Sequence, residues 1–239
     1  MDQDVEILVA EYAEDGAAGD ELLARLHPEE QARCRGFTRP ARRASFLAGR
    51  ALLLEAVARV VGRADPRALR TSGNGGVNYE AAPLHLNLSH SGGLMAAAVA
   101  TLPVGVDLEQ VRPRLSAEQP GRVFPSAEMA WFEKIPARER LEAFYLLWTL
   151  KESACKAAGL SVWEGLGRAR FDPAGGRAEL DPPFPPGSWA FLNAGLAGWQ
   201  LSVALIGKGE DLQVRCRRRA DRDLWLTEPL SEAICLYRP

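Results

Sequence analysis

The chain has 239 residues, of which 47% are hydrophobic and 25% charged, and its formal net charge is −2 at pH 7. A chain of this length can bury a core as one large domain or two small ones. The small net charge predicts no general attraction to nucleic acid or to an anionic membrane. No apolar stretch is long enough to span a bilayer, and the acidic N-terminus lacks the basic region of a secretory signal. We therefore expect a cytoplasmic protein; we also expect it to be a monomer.

Hydrophobic periodicity predicts the elements of the first hundred residues. In chain order they are a strand at 5–9, helices at 20–33 and 40–61, a loop at 72–76, and strands at 84–89 and 94–100. The second helix begins at Pro40, which a first turn tolerates, and stops at Gly62. Ser91, Gly92 and Gly93 predict a turn that joins the last two strands into a hairpin.

The remainder of the chain predicts a similar mixture of elements. In chain order they are a strand at 104–111, a loop at 112–125, helices at 126–134 and 137–158, a proline- and glycine-rich stretch at 171–186, and strands at 188–192, 199–206 and 212–217. Each half thus offers helices and a small sheet. We predict an α+β fold of two similar lobes, 1–103 and 104–239.

Two carboxylates alternate along the strand that opens the second lobe. Because successive side chains of a strand point to opposite faces, Asp107 and Glu109 project together. Two such carboxylates repel one another unless a cation lies between them, and hard oxygen ligands favour Mg²⁺ or Ca²⁺. A solvated strand edge is the alternative interpretation.

A second group of charges lies on the predicted helix 137–158. Trp148, Glu152 and Lys156 follow at intervals of four and share a face. Glu152 would add a third carboxylate, and Lys156 would meet a phosphate as a mobile point charge. The alternative is an ordinary Glu-Lys surface pair beside a core tryptophan.

Two features of the first lobe suit phosphate. Ser89 and His90 stand at a strand end, where turn amides, a hydroxyl and an imidazole form a cradle; the alternative is a hairpin turn with a hydrogen-bonded histidine. Arginine forks match phosphate oxygens, and one group of arginines falls in or before the helix 40–61, although a solvated helix face is the default. Its members are Arg33, Arg35, Arg39, Arg42, Arg43 and Arg50.

Together and in this order, these motifs resemble those of the Sfp-type phosphopantetheinyl transferases. That family carries a Ser-His pair at a strand end, then G-[IV]-D-[IL]-E, then W-x-x-K-E-[SA]-x-x-K. The chain has NLSHSG at 87–92, GVDLE at 105–109 and WTLKESACK at 148–156. The resemblance spans roughly residues 1–205.

The resemblance implies a pseudo-twofold pair of similar α/β lobes with coenzyme A bound between them. It implies that Asp107, Glu109 and Glu152 hold Mg²⁺, and that Asp107, Glu152 and Lys156 serve catalysis. The remaining implied roles concern coenzyme A: Ser89 and His90 on its phosphates, Lys156 neutralising phosphate charge, Lys151 orienting the glutamate or binding phosphate, and Arg42, Arg43 or Arg50 at the 3'-phosphate.

The implied reaction moves 4'-phosphopantetheine from coenzyme A to a serine of an acyl or peptidyl carrier protein, a holo-[acyl-carrier-protein] synthase type of activity. The tryptophan motif favours carriers of polyketide or nonribosomal peptide synthases, and we expect the loop 112–125 to dock them. Two rivals are a Mg²⁺-dependent pyrophosphohydrolase and a non-catalytic coenzyme A- or carrier-binding protein. A nucleic-acid binder based on the basic run 215–219 is the third, and it predicts a steep salt dependence of binding.

Overall fold

The computed structural model describes residues 3–12, 19–73, 75–113, 119–207, 212–221 and 224–227. Its strands are β1 (Gln3–Glu11), β2 (Leu69–Thr71), β3 (Val77–Tyr79), β4 (Leu84–Ser91), β5 (Leu94–Ala100), β6 (Val104–Gln110), β7 (Ala169–Asp172), β8 (Arg177–Leu180), β9 (Trp189–Leu196), β10 (Trp199–Ile206), β11 (Leu212–Asp221) and β12 (Leu224–Thr227). Its helices are α1 (Asp20–Arg25), α2 (Pro28–Arg35), α3 (Pro40–Val61), α4 (Gln119–Val123), α5 (Ser126–Phe132), α6 (Arg140–Ala158) and α7 (Val162–Gly165), with a 3-10 helix at Pro66–Ala68. The protein is therefore a mixed α+β protein.

The chain forms two compact units. The first comprises the described residues of 3–102 together with 212–227, and the second comprises those of 103–207. No helix in the described ranges is both long and apolar enough to cross a membrane.

The first unit is built on a seven-stranded sheet in the order β12-β11-β1-β5-β4-β3-β2. The predicted hairpin is confirmed: β4 and β5 pair antiparallel, and Gly92 and Gly93 make the turn with positive φ angles of 57° and 83°. Such angles suit glycine, which has no Cβ to clash. The helix α3 has the predicted bounds, and it packs on β5 and β1 over a core that includes Leu53, Val57 and Val99.

The predicted helix 20–33 is wrong, because the chain forms two helices there. Leu26 is extended, with φ −69° and ψ 163°, and α2 begins at Pro28. Proline has no amide hydrogen for a continuing helix and disfavours helical geometry in the residue before it. His27 caps the new helix by accepting a hydrogen bond from the Glu29 amide at 3.2 Å. The proline was therefore the sequence signal for the break.

The second unit contains a three-stranded sheet in the order β6-β10-β9 and a separate β7-β8 hairpin. The helix α6 packs on β6 and β10 and ends at Gly159, whose φ of 68° gives a left-handed stop. The proline- and glycine-rich stretch 171–186 contains the end of β7 and all of β8. The expected loop 112–125 contains the helix α4, and its residues 114–118 lie outside the described ranges.

The C-terminal strands correct the predicted lobe 104–239. Strand β11 pairs in parallel with β1, so it belongs to the sheet of the first unit. Within the basic run, Arg215 and Arg217 lie 3.3 Å and 3.0 Å from the carboxylate of Glu6, which is 2% exposed. Arg219 forms an ion pair with Glu55. These contacts give the basic run a structural role in the first sheet.

Candidate functional site

Gly105 lets helix α6 lie directly on strand β6. Because side chains alternate along a strand, Gly105 and Asp107 share a face. A Cβ atom at Gly105 would lie 2.1 Å from the carbonyl oxygen of Ser153 and 2.4 Å from the amide nitrogen of Ala157. Any other residue would hold the helix off the strand. The missing side chain therefore brings the last turns of α6 against the strand that carries the carboxylates.

Asp107 is a buried carboxylate that forms an ion pair with Lys156. Only 1% of Asp107 is exposed, and its Oδ1 lies 2.7 Å from the Lys156 Nζ. Lys156 also donates a hydrogen bond to the carbonyl of Val106 at 3.1 Å. The burial excludes a solvated strand edge as the environment of Asp107, whereas Glu109 is half-buried.

Glu152 lies beside the same ammonium group. Its Oε2 is 3.9 Å from the Lys156 Nζ, and the two side chains are 16% and 27% exposed. Burial raises the pKa of Glu152 to about 7; the charges of Asp107 and Glu109 add to the rise, and the charge of Lys156 opposes it. Exposed surface pairs have neither such burial nor such a shift. The pair is therefore part of a partly buried charge cluster.

The cluster supplies oxygen ligands of the kind that a hard cation prefers. The Lys156 ammonium lies 2.7 Å from the Asp107 carboxylate and 3.9 Å from that of Glu152. Among the described residues, no group of three or more His, Cys, Asp and Glu side chains is arranged to hold a metal ion. Mg²⁺ commonly takes one or two protein carboxylates and completes its shell with substrate phosphates. Asp107 and Glu152 fit that pattern, and Glu109 as a third ligand stays a prediction.

A comparison with protein families shows what the segment that carries this cluster resembles. Residues 103–204 match the family model described as the 4'-phosphopantetheinyl transferase superfamily. This segment is similar to that superfamily. We call residues 103–204 the superfamily segment.

Three similar proteins show how far the likeness extends. The 4'-phosphopantetheinyl transferase of Bacillus subtilis is 30% identical over 143 residues, which is 59% of this chain and 63% of that protein. The 4'-phosphopantetheinyl transferase AcpT of Salmonella typhimurium is 36% identical over 125 residues, 52% of this chain and 62% of that one. HetI of a Nostoc species, also named a 4'-phosphopantetheinyl transferase, is 31% identical over 147 residues, 58% and 62% of the two chains. The chain thus spans less than two thirds of the length of these relatives.

Within the superfamily segment, Lys151 points into the core. Lys151 is fully buried. Its ammonium donates hydrogen bonds to the carbonyl oxygens of Leu166 and Ala169 and forms an ion pair with the Glu128 carboxylate, which lies 2.9 Å away. Burial lowers the pKa of Lys151 and raises that of Glu128, against their mutual attraction. The expectation that Lys151 binds phosphate does not fit this geometry, because an ammonium has no fourth hydrogen to donate.

Glu128 is a buried charge whose role the sequence did not reveal. A glutamate in the first turn of a helix ordinarily interacts favourably with the helix dipole. Instead its Oε1 binds Lys151 and accepts a hydrogen bond from the Phe171 amide at 2.8 Å. Lys151 and Phe171 lie 23 and 43 residues after Glu128 in the chain. A local sequence pattern cannot predict contacts between residues so far apart.

In the first unit, Arg50 is held by an internal ion pair. It is 5% exposed, its Nε lies 2.7 Å from Glu30 Oε2, and a terminal nitrogen donates to Thr71 Oγ1 at 2.7 Å. Although burial alone would raise the pKa of Glu30, the bonds from Thr71 and the charge of Arg50 hold it below its usual value. The structure therefore commits Arg50 to the interior, which does not fit the expected contact with a phosphate.

The other predicted phosphate residues differ in accessibility. Arg42 is exposed and lies over the Phe37 ring at 4.9 Å, while Arg43 pairs with Asp20 at 2.6 Å. Ser89 is 7% exposed, whereas its neighbour His90 is exposed. Adjacent residues of a strand face opposite ways, so Ser89 and His90 do not both present side chains to one face of the sheet.

Proposed function

We propose that the chain transfers 4'-phosphopantetheine from coenzyme A to a serine of a carrier protein and releases adenosine 3',5'-bisphosphate. The observation that carries the proposal is the partly buried Asp107–Lys156–Glu152 cluster in the superfamily segment. Relatives named as 4'-phosphopantetheinyl transferases support it. A pseudo-twofold relation between two lobes remains part of the proposal.

The reaction replaces one phosphorus–oxygen bond with another. The serine oxygen bonds to the phosphorus that carries pantetheine, the pyrophosphate bond breaks, and the departing bisphosphate keeps the electron pair. Mg²⁺, with Asp107 and Glu152 as its proposed protein ligands, would neutralise the pyrophosphate oxygens. The serine hydroxyl must also lose its proton during the reaction, so a group that accepts this proton is needed.

Glu152 and Lys156 have separable roles in this proposal. Glu152 takes the serine proton at a carboxylate oxygen, directly or through a water that it orients; a pKa of about 7 suits a base at neutral pH. A cation close by lowers that pKa, which favours the water relay. Lys156, a mobile ammonium 27% exposed, turns from Asp107 to the phosphate whose charge grows as the bond breaks.

Exposed residues of the first unit are our candidates for the coenzyme A phosphates. His90 and Arg42 are accessible, and Arg43 becomes available if its exposed pair with Asp20 opens. An exposed pair of this kind costs little to break. Ser89 and Arg50 are buried, so we do not propose them for this contact.

The carrier class is inferred from the tryptophan motif at 148–156, which resembles that of transferases serving polyketide and nonribosomal peptide synthases. We propose docking by the segment 112–125. Of its described residues, Arg112 and Val123 are half-buried and Phe124 is buried, so any contact surface there excludes the Phe124 ring.

The deciding experiment incubates the full chain with coenzyme A, Mg²⁺ and apo-carriers of fatty-acid, polyketide and peptide synthases, read by intact mass. Transfer adds one phosphopantetheine group to the carrier serine and consumes coenzyme A equally. Coenzyme A cleavage without carrier labelling would indicate the pyrophosphohydrolase, and coenzyme A binding without turnover the non-catalytic protein. Glu152→Gln should abolish labelling, while Glu142→Gln, an exposed glutamate on the same helix, should not.

A further inference from the structure

A largely buried line of polar side chains joins the three-stranded sheet to helix α6. Its members are Gln200, Asn193, Ser202 and Thr149. Gln200 Nε2 donates to Asn193 Oδ1 at 2.6 Å, and Asn193 Nδ2 lies 3.0 Å from Ser202 Oγ. Ser202 Oγ in turn lies 2.7 Å from Thr149 Oγ1, and both hydroxyl residues are fully buried. The line therefore crosses from strands to helix through a single hydroxyl pair.

The chemistry of the groups fixes the direction of these hydrogen bonds. Thr149 Oγ1 lies 2.9 Å from the carbonyl oxygen of Tyr145, which only accepts, so the threonine hydrogen is used there. Thr149 must then accept from Ser202. Ser202, having donated its hydrogen, accepts from Asn193, whose amide nitrogen also donates to the carbonyl of Leu201 at 3.0 Å. Both hydroxyls donate and accept once, so the pair has one favoured geometry.

The hydroxyl pair lies immediately beside the carboxylate cluster. In the antiparallel pairing of β10 with β6, Ser202 is opposite Asp107 and Gln200 is opposite Glu109. Directly opposed side chains share a face, with Cβ atoms about 5 Å apart. Thr149 is three residues before Glu152 on α6, on the same side of the helix. One end of the pair is thus next to Asp107 and the other next to Glu152.

We propose that Thr149 and Ser202 are positioning residues, whose hydroxyl pair holds α6 at the rotation that keeps Glu152 beside Asp107. Apolar packing alone is non-directional and would permit small rotations of the helix, whereas a hydrogen bond between buried hydroxyls is directional. The ligand of the positioned carboxylates, a divalent cation with a phosphate, rests on the proposed function. The placement of the carboxylates themselves does not.

The direct test is the binding of Mn²⁺ to the full chain, measured by calorimetry without substrate. Thr149→Val and Ser202→Ala should each weaken Mn²⁺ binding about tenfold, the effect typical of groups that orient metal ligands. The double variant should be no weaker than the weaker single, because either change already breaks the pair. Thr149→Ser keeps the hydroxyl and should restore wild-type affinity.

Ser153→Ala is the matched control. Ser153 is also fully buried on α6, but its hydroxyl donates to the Leu150 carbonyl of the same helix at 2.9 Å. We expect that variant to keep the Mn²⁺ affinity of the wild type. In transfer assays Thr149→Val and Ser202→Ala should lower kcat and leave the KM for coenzyme A unchanged, since they act through the carboxylates.

The possible negative results separate the positioning role of Thr149 and Ser202 from the proposed transfer reaction. Wild-type Mn²⁺ affinity and kcat in both variants, with only the unfolding free energy reduced, would show a merely structural pair and overturn the inference. A wild-type chain that binds no Mn²⁺ would also overturn the inference. A wild-type chain that binds Mn²⁺ but labels no carrier would refute the proposed function, while the affinity series would still decide the positioning role. If Thr149→Val does not fold, Ser202→Ala tests the same bond with a smaller change.

Discussion

At the scale of single residues, the arrangement of the candidate site depends on the charge of Asp107 and on the absence of a side chain at Gly105. Asp107 is buried as a carboxylate, which is tolerable because Lys156 lies 2.7 Å away. Gly105, two positions earlier on the same face, admits the helix that carries that lysine. Asp107 therefore supplies the negative charge, and Gly105 supplies the space that lets Lys156 reach it.

Asp107→Asn should remove transfer while leaving the fold. Asparagine keeps the shape but not the charge, so we expect kcat to fall about 100-fold or more. Lys156 is partly exposed and can be hydrated, so the free energy of unfolding should fall by only about 1–2 kcal/mol. Turnover and urea unfolding measure the two effects. Asp181→Asn, at an exposed ion pair in the same unit, is the control; near-normal turnover by Asp107→Asn would refute the assignment.

Gly105→Ala should displace α6 from β6. The new methyl group would overlap backbone atoms of Ser153 and Ala157, and backbone cannot turn aside as a side chain can. We expect a loss of about 3 kcal/mol or more in unfolding free energy, together with lower transfer. Gly195→Ala is the matched control, since a Cβ on that β9 residue meets nothing within 4 Å. Equal stability of the two variants would contradict the close approach.

At the scale of elements, a buried carboxylate joins three parts of the first unit. Glu30 belongs to α2, Arg50 to α3 and Thr71 to β2, and Glu30 bonds both the guanidinium and the Thr71 amide. The cluster fixes α2 against α3 after the break at His27. An interior ion pair of this kind is costly to disrupt on one side, because the remaining charge loses its partner.

Glu30→Gln should reduce stability and its pH dependence. The folded pKa of Glu30 lies below 4.5, so its contribution is complete above pH 4.5 and is lost as the pH falls through the folded pKa. At pH 7 we expect a loss of about 3–5 kcal/mol, and a shallower decline in unfolding free energy below pH 4.5 than in the wild type. Urea unfolding across pH 3–7 measures both. Glu29→Gln, 72% exposed on the same helix, should behave as wild type.

Phe124→Ala should destabilise the second unit. The ring is 5% exposed and packs against Phe132 and Phe144, at centroid distances of 5.8 Å and 5.2 Å. Its removal leaves a cavity and should cost about 3–5 kcal/mol. Trp163→Ala, at a residue 89% exposed, should cost less than about 0.5 kcal/mol. Wild-type stability of Phe124→Ala, with only the carrier KM raised, would restore the docking role expected from the sequence.

At the scale of the whole molecule, the chain leaves the first sheet after β5 and returns to it with β11. Residues 212–218 pair in parallel with residues 3–9, and Glu6 is buried against two arginines of the returning strand. Parallel strands need a crossover connection, and in this chain the second unit lies within that connection. The C-terminal segment is therefore part of the first unit's stability.

A chain shortened to residue 207 should lose protection in β1. Without β11, the edge of β1 exposes its amides, and the Glu6 carboxylate loses the guanidinium groups of Arg215 and Arg217. Hydrogen exchange should accelerate by about tenfold or more in β1, while β9 and β10 of the second unit stay protected. A chain ending at residue 227 keeps both C-terminal strands and is the control. Equal exchange in all three chains would contradict this role.

Local order and the shared faces of the candidate site residues were predictable from the sequence. The Pro40 and Gly62 boundaries of α3, the Gly92-Gly93 turn and the left-handed stop at Gly159 are properties of those residues themselves. The two-residue spacing of Asp107 and Glu109 predicted a shared strand face, and helical spacing predicted that Glu152 and Lys156 share theirs. Both depend only on the periods of strand and helix.

The partners of buried charges were decided by tertiary structure alone. From the sequence, Arg50 and Lys151 were indistinguishable from ligand-binding cations; the fold gave them Glu30 and Glu128 and buried all four. Strand β11 likewise joined β1 across some two hundred residues. Sequence periodicity reports how a segment folds, whereas an ion pair or a parallel strand pair depends on which distant segment reaches it, and burial then makes that pairing obligatory.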